Sequence, residues 1–319
     1  MTIVITGGNG FLGRRAAALL ARRGTEEDIL RVDAMPAGDT GLPGREVVGD
    51  VADPAFLAGA IPEDTTAILH LAAVVSAQAE ADYDIGMRVN IDGVRALIER
   101  CRPLPAPPRV VFASSVAVFG PVAGEVLDDT AARPLSSYGT EKAVGELLIS
   151  DASRKGFLDG RCFRVPTIAV RPGRPNKAAS SFASSIIREP LHGERAACPV
   201  DPATVMWLSS PRRAVAQLVA GLDIDGAAIG YPRIVNLPGL SVTVAGMIEA
   251  LARAGGDTGL IDHVPDPAVA EIVGSWPGSM RTDHANRLGF RADADIDAIL
   301  RAYLEDDFEA DAAARQATR

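Results

Sequence analysis

Apolar residues fall in short bursts along the first half of the chain, and stretches with helical spacing separate them. Residues 2–6 are β-branched throughout and read as a buried strand. A glycine-rich turn follows at 7–13, and residues 14–23 carry an Ala/Leu stripe of helical period that Gly24 ends. Residues 29–33 form a second strand that finishes on an acid, and residues 45–49 a short third one closed by Asp50. Asp53 caps a helix whose first position is Pro54. Residues 67–71 read as a fourth strand, 82–101 as a long helix stopped by the Pro-rich turn 103–108, and 109–113 as a fifth strand. A helix from about Tyr138 to Lys155 and a sixth strand at 161–165 complete the alternation.

Strand–helix alternation over 165 residues calls for a parallel sheet covered on both faces, joined by right-handed crossovers. The expectation is an α/β protein with a doubly wound parallel sheet. Beyond Pro166 the rhythm breaks, and Pro and Gly crowd the chain up to Pro211. The division expected is a nucleotide-binding domain at 1–166 and, at 167–319, a smaller C-terminal substrate-binding α/β subdomain, mainly a cap, with some segments returning to the sheet. The last residues, from about 306, read either as a frayed helix or as a disordered tail.

Composition narrows the function. The 319 residues are 47% hydrophobic and 23% charged, with a formal charge of −9, which disfavours a nucleic-acid partner. No apolar run reaches membrane-spanning length, and the N-terminus lacks the basic leader of a signal peptide. Three isolated cysteines, Cys101, Cys162 and Cys198, read as reduced packing residues of a cytoplasmic protein rather than as metal ligands.

The chemistry begins at Gly7-x-x-Gly10-x-x-Gly13 between a strand and a helix. The first glycine permits the tight turn, the second lets backbone approach a pyrophosphate, and the third lets helix and strand pack closely. The helix start then offers N–H groups to the phosphates. Asp33, 20 residues beyond Gly13, can accept from both adenosine ribose hydroxyls and would repel a 2′-phosphate, so NAD is expected over NADP. Asp50-Val51 is placed to border the adenine, although Gly-Asp is also ordinary turn chemistry.

Ser114-Ser115 follows the fifth strand directly, at the sheet edge where such folds bind ligands. Tyr138 and Lys142, four residues apart, share one helical face. A phenol has a pKa of about 10, and a fixed ammonium nearby lowers it. Ser115 would hold a substrate oxygen, Tyr138 would move its proton, and Lys142 would lower the tyrosine pKa and bind the nicotinamide ribose. Between Arg161 and Arg195 seven basic residues stand against two acids, inside a chain that is acidic overall. That local reversal suggests an anionic substrate, with Arg174, Lys177 and Arg212 as candidates. A solvated loop face would explain part of it.

Taken together, Thr6-Gly7-Gly8-Asn9-Gly10-Phe11-Leu12-Gly13, Asp33, Asp50-Val51, His70-Leu71-Ala72-Ala73, Asn90, Ser114-Ser115, Tyr138-Gly139-x-x-Lys142 and Arg164-Val165-Pro166 resemble the extended short-chain dehydrogenase/reductase family. The resemblance implies a Rossmann fold that binds NAD through Gly7, Asn9, Gly10, Phe11, Leu12, Gly13, Asp33, Asp50, Val51, Leu71, Ala72, Ala73, Asn90, Tyr138, Lys142, Pro166 and Thr167. It also implies a homodimer built on helices near 92–101 and 140–155. His70 reads as a satisfied strand-end histidine. Dehydratases of the family carry an acidic pair after the serine, whereas this chain has Val116-Ala117-Val118. Segments around Val74-Val75-Ser76, 171–184, 207–213, 236–243 and 276–278 are similar to the D-erythronate dehydrogenase branch. That likeness implies NAD-dependent oxidation of the C2 hydroxyl of a four-carbon acid sugar to 2-oxo-tetronate, with Ser76, Ser115 and the basic residues above at the substrate. A nucleotide-sugar epimerase with bound NAD, and a non-catalytic NAD(H)-sensing protein, are the alternatives.

Overall fold

The computed structural model describes residues 1–25, 27–38, 41–173 and 178–317. The chain divides into two compact units: Met1–Val118 with Ser137–Arg164 and Val215–Asn236, and Phe119–Ser136 with Val165–Ala214 and Leu237–Arg319.

The first unit is built on a seven-stranded sheet. Its elements in chain order are β1 (Thr2–Thr6), α1 (Phe11–Arg22), β2 (Asp28–Asp33), β3 (Arg45–Val48), α2 (Pro54–Ala60), β4 (Thr65–His70), α3 (Ser76–Ala81), α4 (Tyr83–Gly86), α5 (Gly93–Cys101), β5 (Arg109–Ser115), α6 (Ser137–Arg154) and β6 (Asp159–Val165). The strand order is β3-β2-β1-β4-β5-β6, and Ile234–Asn236 is added beside β6. The pairings β1–β2, β1–β4, β2–β3, β4–β5 and Ile234–Asn236 with β6 are parallel. Every residue of β1 is buried, as expected for a strand covered on both faces. The order reverses between β1 and β4, which opens a crevice beyond their carboxyl ends. The core beneath it includes Val4, Leu30, Ile68, Leu97, Val110 and Phe112.

Local signals act as expected at α2, where Asp53 accepts from the Ala55 and Phe56 N–H groups and Pro54 opens the helix. Such a cap is worth about 1 kcal/mol. The helical stretch expected over 82–101 runs unbroken from Tyr83 to Cys101, as α4, a wider π-turn at Met87–Asp92, and α5. At that widened turn Asn90 is buried and bonds to Val74.

The second unit holds a three-stranded sheet in which Val205–Ser209 lies between Thr167–Ile168 and Leu240–Thr243. A two-stranded pair joins Ala196–Cys198 to Ile261–His263. Its core includes Phe182, Ile186, Leu208, Met247, Leu251 and Tyr303. Of the two readings of the C-terminus, the structure takes the helical one: Phe308–Gln316 is a helix. Asp311 docks it, accepting from the Tyr303 hydroxyl (2.8 Å) and the Gly173 N–H (3.0 Å).

Candidate active site

The glycine turn is shaped by what surrounds it. Gly7 has φ +67°, and a Cβ there would meet Ala72 N at 2.8 Å, so the turn lies directly against the segment leaving β4. Leu71 N–H donates to Thr6 C=O (3.0 Å), which holds that segment to β1. A Cβ on Gly13 would sit 2.2 Å from Gly7 O, so any side chain there would force α1 off the turn. α1 begins at Phe11 with Gly10 as its N-cap, no side chain caps it, and no acid stands in its first turn. Its first N–H groups and partial positive charge are therefore available to an anion, and the turn fits a dinucleotide pyrophosphate.

Asp33 ends β2 beside this turn. Its carboxylate accepts from Asn9 N–H (3.0 Å) and Met35 N–H (3.1 Å). These two bonds orient it while leaving carboxylate lone pairs for ribose hydroxyls. Asn9 itself is occupied: its side chain donates to Met35 C=O (2.7 Å) and Glu46 (2.8 Å) and accepts from Arg31. Its side chain braces the turn, its N–H is given to Asp33, and its C=O accepts from Arg14 Nε (2.6 Å), so Asn9 holds the turn in shape. Asp50 accepts from Ala52 N–H (2.9 Å) and pairs with Arg88. Partial burial works against its charge, yet the Ala52 and Arg88 bonds hold its carboxyl below the usual range. Val51 is buried.

The end of β5 carries two serines, and α6 carries the phenol and the amine. Along β5 the side chains alternate, so Ser114 points inward and is buried while Ser115 is half-buried. Ser115 Oγ accepts from Ala117 N–H (3.1 Å). Tyr138 lies in the first turn of α6, and Lys142 one turn later is buried. Lys142 Nζ donates to Ala113 C=O (2.9 Å), two residues before Ser115. The same ammonium lies 4.7 Å from the Phe112 ring centroid and 5.7 Å from that of Tyr138. Burial lowers its pKa to about 8, while the charges of Glu141 and Glu146 work in the opposite direction. The sheet edge thus gathers a hydroxyl, a phenol and an ammonium around one strand end.

His70 is excluded as an acid or base. Burial, with the Lys142 charge adding to it, lowers its pKa to about 3, so the ring is neutral. It bonds Thr6 Oγ1 through Nδ1 (2.7 Å) and stacks on Phe112.

Beneath the edge lies a group that the sequence reading missed. Glu146 accepts a bidentate pair from Arg164 (2.8 and 2.8 Å) and a third bond from Ser114 Oγ (2.6 Å). Arg164 also donates to Asn236 (3.3 Å), in the added strand. The signal was present as spacing, since Tyr138, Lys142 and Glu146 repeat every four residues along one helical face.

Ser76 is buried at the start of α3, and Pro166 and Thr167 belong to the second unit, where Thr167 pairs with Leu208. Arg174 and Lys177 lie outside the described residues. Arg212, a candidate for a substrate anion, is forked onto Asp306 (2.9 and 2.6 Å) and bonded to Glu305 (2.9 Å). Two carboxylates already neutralise it, so the structure gives it a bracing role within the second unit. Among the described residues no group of three or more His, Cys, Asp or Glu could hold a metal, and no helix is long and apolar enough to cross a membrane. The three cysteines are free and buried.

Comparison with known proteins finds relatives that match nearly the whole chain. The chain is 54% identical to a D-erythronate dehydrogenase of Cupriavidus necator, covering 96% of this chain and 98% of that one. It is 43% identical to a D-erythronate dehydrogenase of Haemophilus influenzae, covering 96% and 100%. A crystal structure described as a nucleoside-diphosphate-sugar epimerase from Agrobacterium tumefaciens superposes with a TM-score of 0.90 at 38% identity, covering 97% of this chain and 95% of that one. Residues 3–213, which contain the glycine turn, Asp33, Ser115, Tyr138 and Lys142, match the model of one family. With its parallel sheet, uncapped helix start and Tyr–Lys pair, the chain belongs to the NAD dependent epimerase/dehydratase family.

Proposed function

We propose that this chain is an NAD-dependent dehydrogenase that oxidises the C2 hydroxyl of D-erythronate, a four-carbon acid sugar, to 2-oxo-tetronate. The observation that carries the reading is the Lys142 ammonium, buried 5.7 Å from the Tyr138 ring and tied to the strand that ends in Ser115. Ser115 holds the substrate hydroxyl oxygen. Tyr138 takes the hydroxyl proton as the carbinol carbon gives up its hydride. Lys142, held cationic, keeps the tyrosine pKa low enough for that transfer. The chemistry the dinucleotide supplies when bound is that of a hydride acceptor. Gly7, Gly10 and Gly13 let backbone meet its pyrophosphate, and Asp33 takes its adenosine ribose.

Choice of substrate is supported by near-full-length identity to two relatives named D-erythronate dehydrogenase. Dehydration is disfavoured by Val116–Val118, buried and apolar where an acid would have to act. Because Arg212 is taken by Glu305 and Asp306, we assign the substrate carboxylate to Arg174 and Lys177 in the basic run after Arg161. We read the assembly as a homodimer, checked by light scattering of the purified chain.

The second reading is a nucleotide-sugar epimerase, favoured by the description of the Agrobacterium tumefaciens structure. Incubation with D-erythronate and NAD separates the two. Stoichiometric accumulation of NADH, lost in Tyr138→Phe, supports the dehydrogenase. Absence of NADH with erythronate, together with interconversion of a UDP-sugar, refutes it.

A further inference from the structure

Three hydrogen bonds meet at one buried carboxamide in the first unit. Asn90 Oδ1 accepts from Val74 N–H (2.9 Å), and Nδ2 donates to Val74 C=O (3.0 Å) and to Glu141 Oε2 (2.5 Å). Both amide hydrogens are thereby used, and both backbone groups of Val74 are clamped. Asn90 sits in the π-turn at Met87–Asp92, a widened turn of the kind that recurs at functional sites. Glu141 is the residue before Lys142 on α6 and is 1% exposed.

The protein tolerates a costly arrangement to keep this carboxyl. Oε1 of Glu141 is buried with no hydrogen-bond partner. Burial pushes the Glu141 pKa up, against the Asn90 bond and the Lys142 charge, with Glu80 the other acid close enough to add to it. Gly86 leaves the space: a Cβ there would sit 2.2 Å from Oε1. An apolar residue of similar volume would remove the desolvation cost, so packing alone does not account for a carboxyl here. Its one hydrogen bond goes to Asn90.

We propose that Glu141 is a positioning residue, which holds Asn90 and, through it, the backbone of Val74 in register with Tyr138 and Lys142. Val74 lies between Leu71-Ala72-Ala73, on the cofactor side, and Ser76, on the substrate side. The clamp therefore fixes the segment that connects the two binding regions to the helix that carries the base. This inference rests on the reading of Tyr138 and Lys142 as the reaction centre. Without Glu141 the second Nδ2 hydrogen is buried without an acceptor, and the carboxamide has to turn or let in water to satisfy it.

Two substitutions test it in the D-erythronate assay. Glu141→Gln keeps an acceptor for Asn90, and Glu141→Leu keeps the volume without one. The expected result is kcat within about threefold of the parent for Glu141→Gln, and roughly tenfold or more lower for Glu141→Leu, with the NADH dissociation constant of both within about threefold. A residue that only supported the fold would lower the melting temperature and leave kcat per folded molecule unchanged. That outcome, or a Glu141→Leu kcat within about twofold of the parent, overturns the proposal. If Glu141→Leu does not fold, Gly86→Ala replaces it: alanine favours the helix while its methyl meets Oε1. The same fall in kcat is then expected, and an unchanged kcat overturns the proposal. Tyr138→Phe, run alongside, separates the two levels. If it retains turnover, the reaction centre is wrongly placed and the proposal falls with it. If it is inactive while Glu141→Leu is unimpaired, only the role of Glu141 falls.

Discussion

Replacing Glu146 by Leu should strongly destabilise the first unit. The carboxylate is 2% exposed and its Arg164 partner 7%. Glu146→Leu leaves the guanidinium in the core without the carboxylate it forks onto, and breaking a buried pair from one side costs about 3–5 kcal/mol. The Ser114 hydroxyl loses its acceptor in the same step, a net loss of about 1 kcal/mol that overlaps the first. The double variant Glu146→Leu with Arg164→Met removes both charges and fills the volume, so it should recover to within about 2 kcal/mol of the parent. Both tryptophans, Trp207 and Trp276, lie in the second unit, so indole fluorescence would follow the wrong half of the chain. Cys101 and Cys162 are buried in the first unit and Cys198 in the second, so pulsed thiol labelling across a urea series, read at Cys101 and Cys162 by peptide mapping, reports unfolding of the first unit. A midpoint for Glu146→Leu that corresponds to less than about 1 kcal/mol, or a double variant whose cost is the sum of the singles, would refute the view that this pair ties β5, β6 and α6 together.

Three further outcomes follow from the site. Asp33→Ser should weaken NAD binding by about tenfold or more through loss of a charged acceptor at the ribose, and should narrow the preference over NADP. Fluorescence titration with NADH and NADPH measures both, and an unchanged ratio would remove Asp33 from the selection. For pH, burial depresses Lys142 to about 8, so its charge is present below that value and lost as pH rises through it. Since cationic Lys142 lowers the tyrosine pKa, kcat/KM of the free enzyme should fall on the alkaline side with a limb near pH 8. A profile flat to pH 10 would mean that Lys142 does not act through its charge. By linkage, the unfolded chain binds more protons at this lysine between pH 8 and its unfolded value of about 10.5, so this group's contribution to stability rises with pH across that window.

Much of this protein follows from local sequence, because local geometry is what short patterns control. The glycine turn is legible because Gly7 adopts a left-handed backbone and Gly13 abuts Gly7 O at a separation of six residues. Asp33 at a strand end, the Asp53 cap and the Tyr138–Lys142 face are likewise set by the period of a single element. Alternating strands and helices then restrict the sheet to parallel pairing. What only the tertiary structure decided is which charge meets which. Arg212 reads in sequence as a free cation beside a basic run, yet acids 93 and 94 residues later neutralise it. Asn9 looks like a ligand to the cofactor, yet Glu46, 37 residues away, occupies its side chain. Glu141 and Glu146 look like ordinary helix acids, and their meaning lies in Asn90 and Arg164, 51 and 18 residues distant. Buried polar groups must find partners, and the fold, not the periodicity, brings those partners within reach.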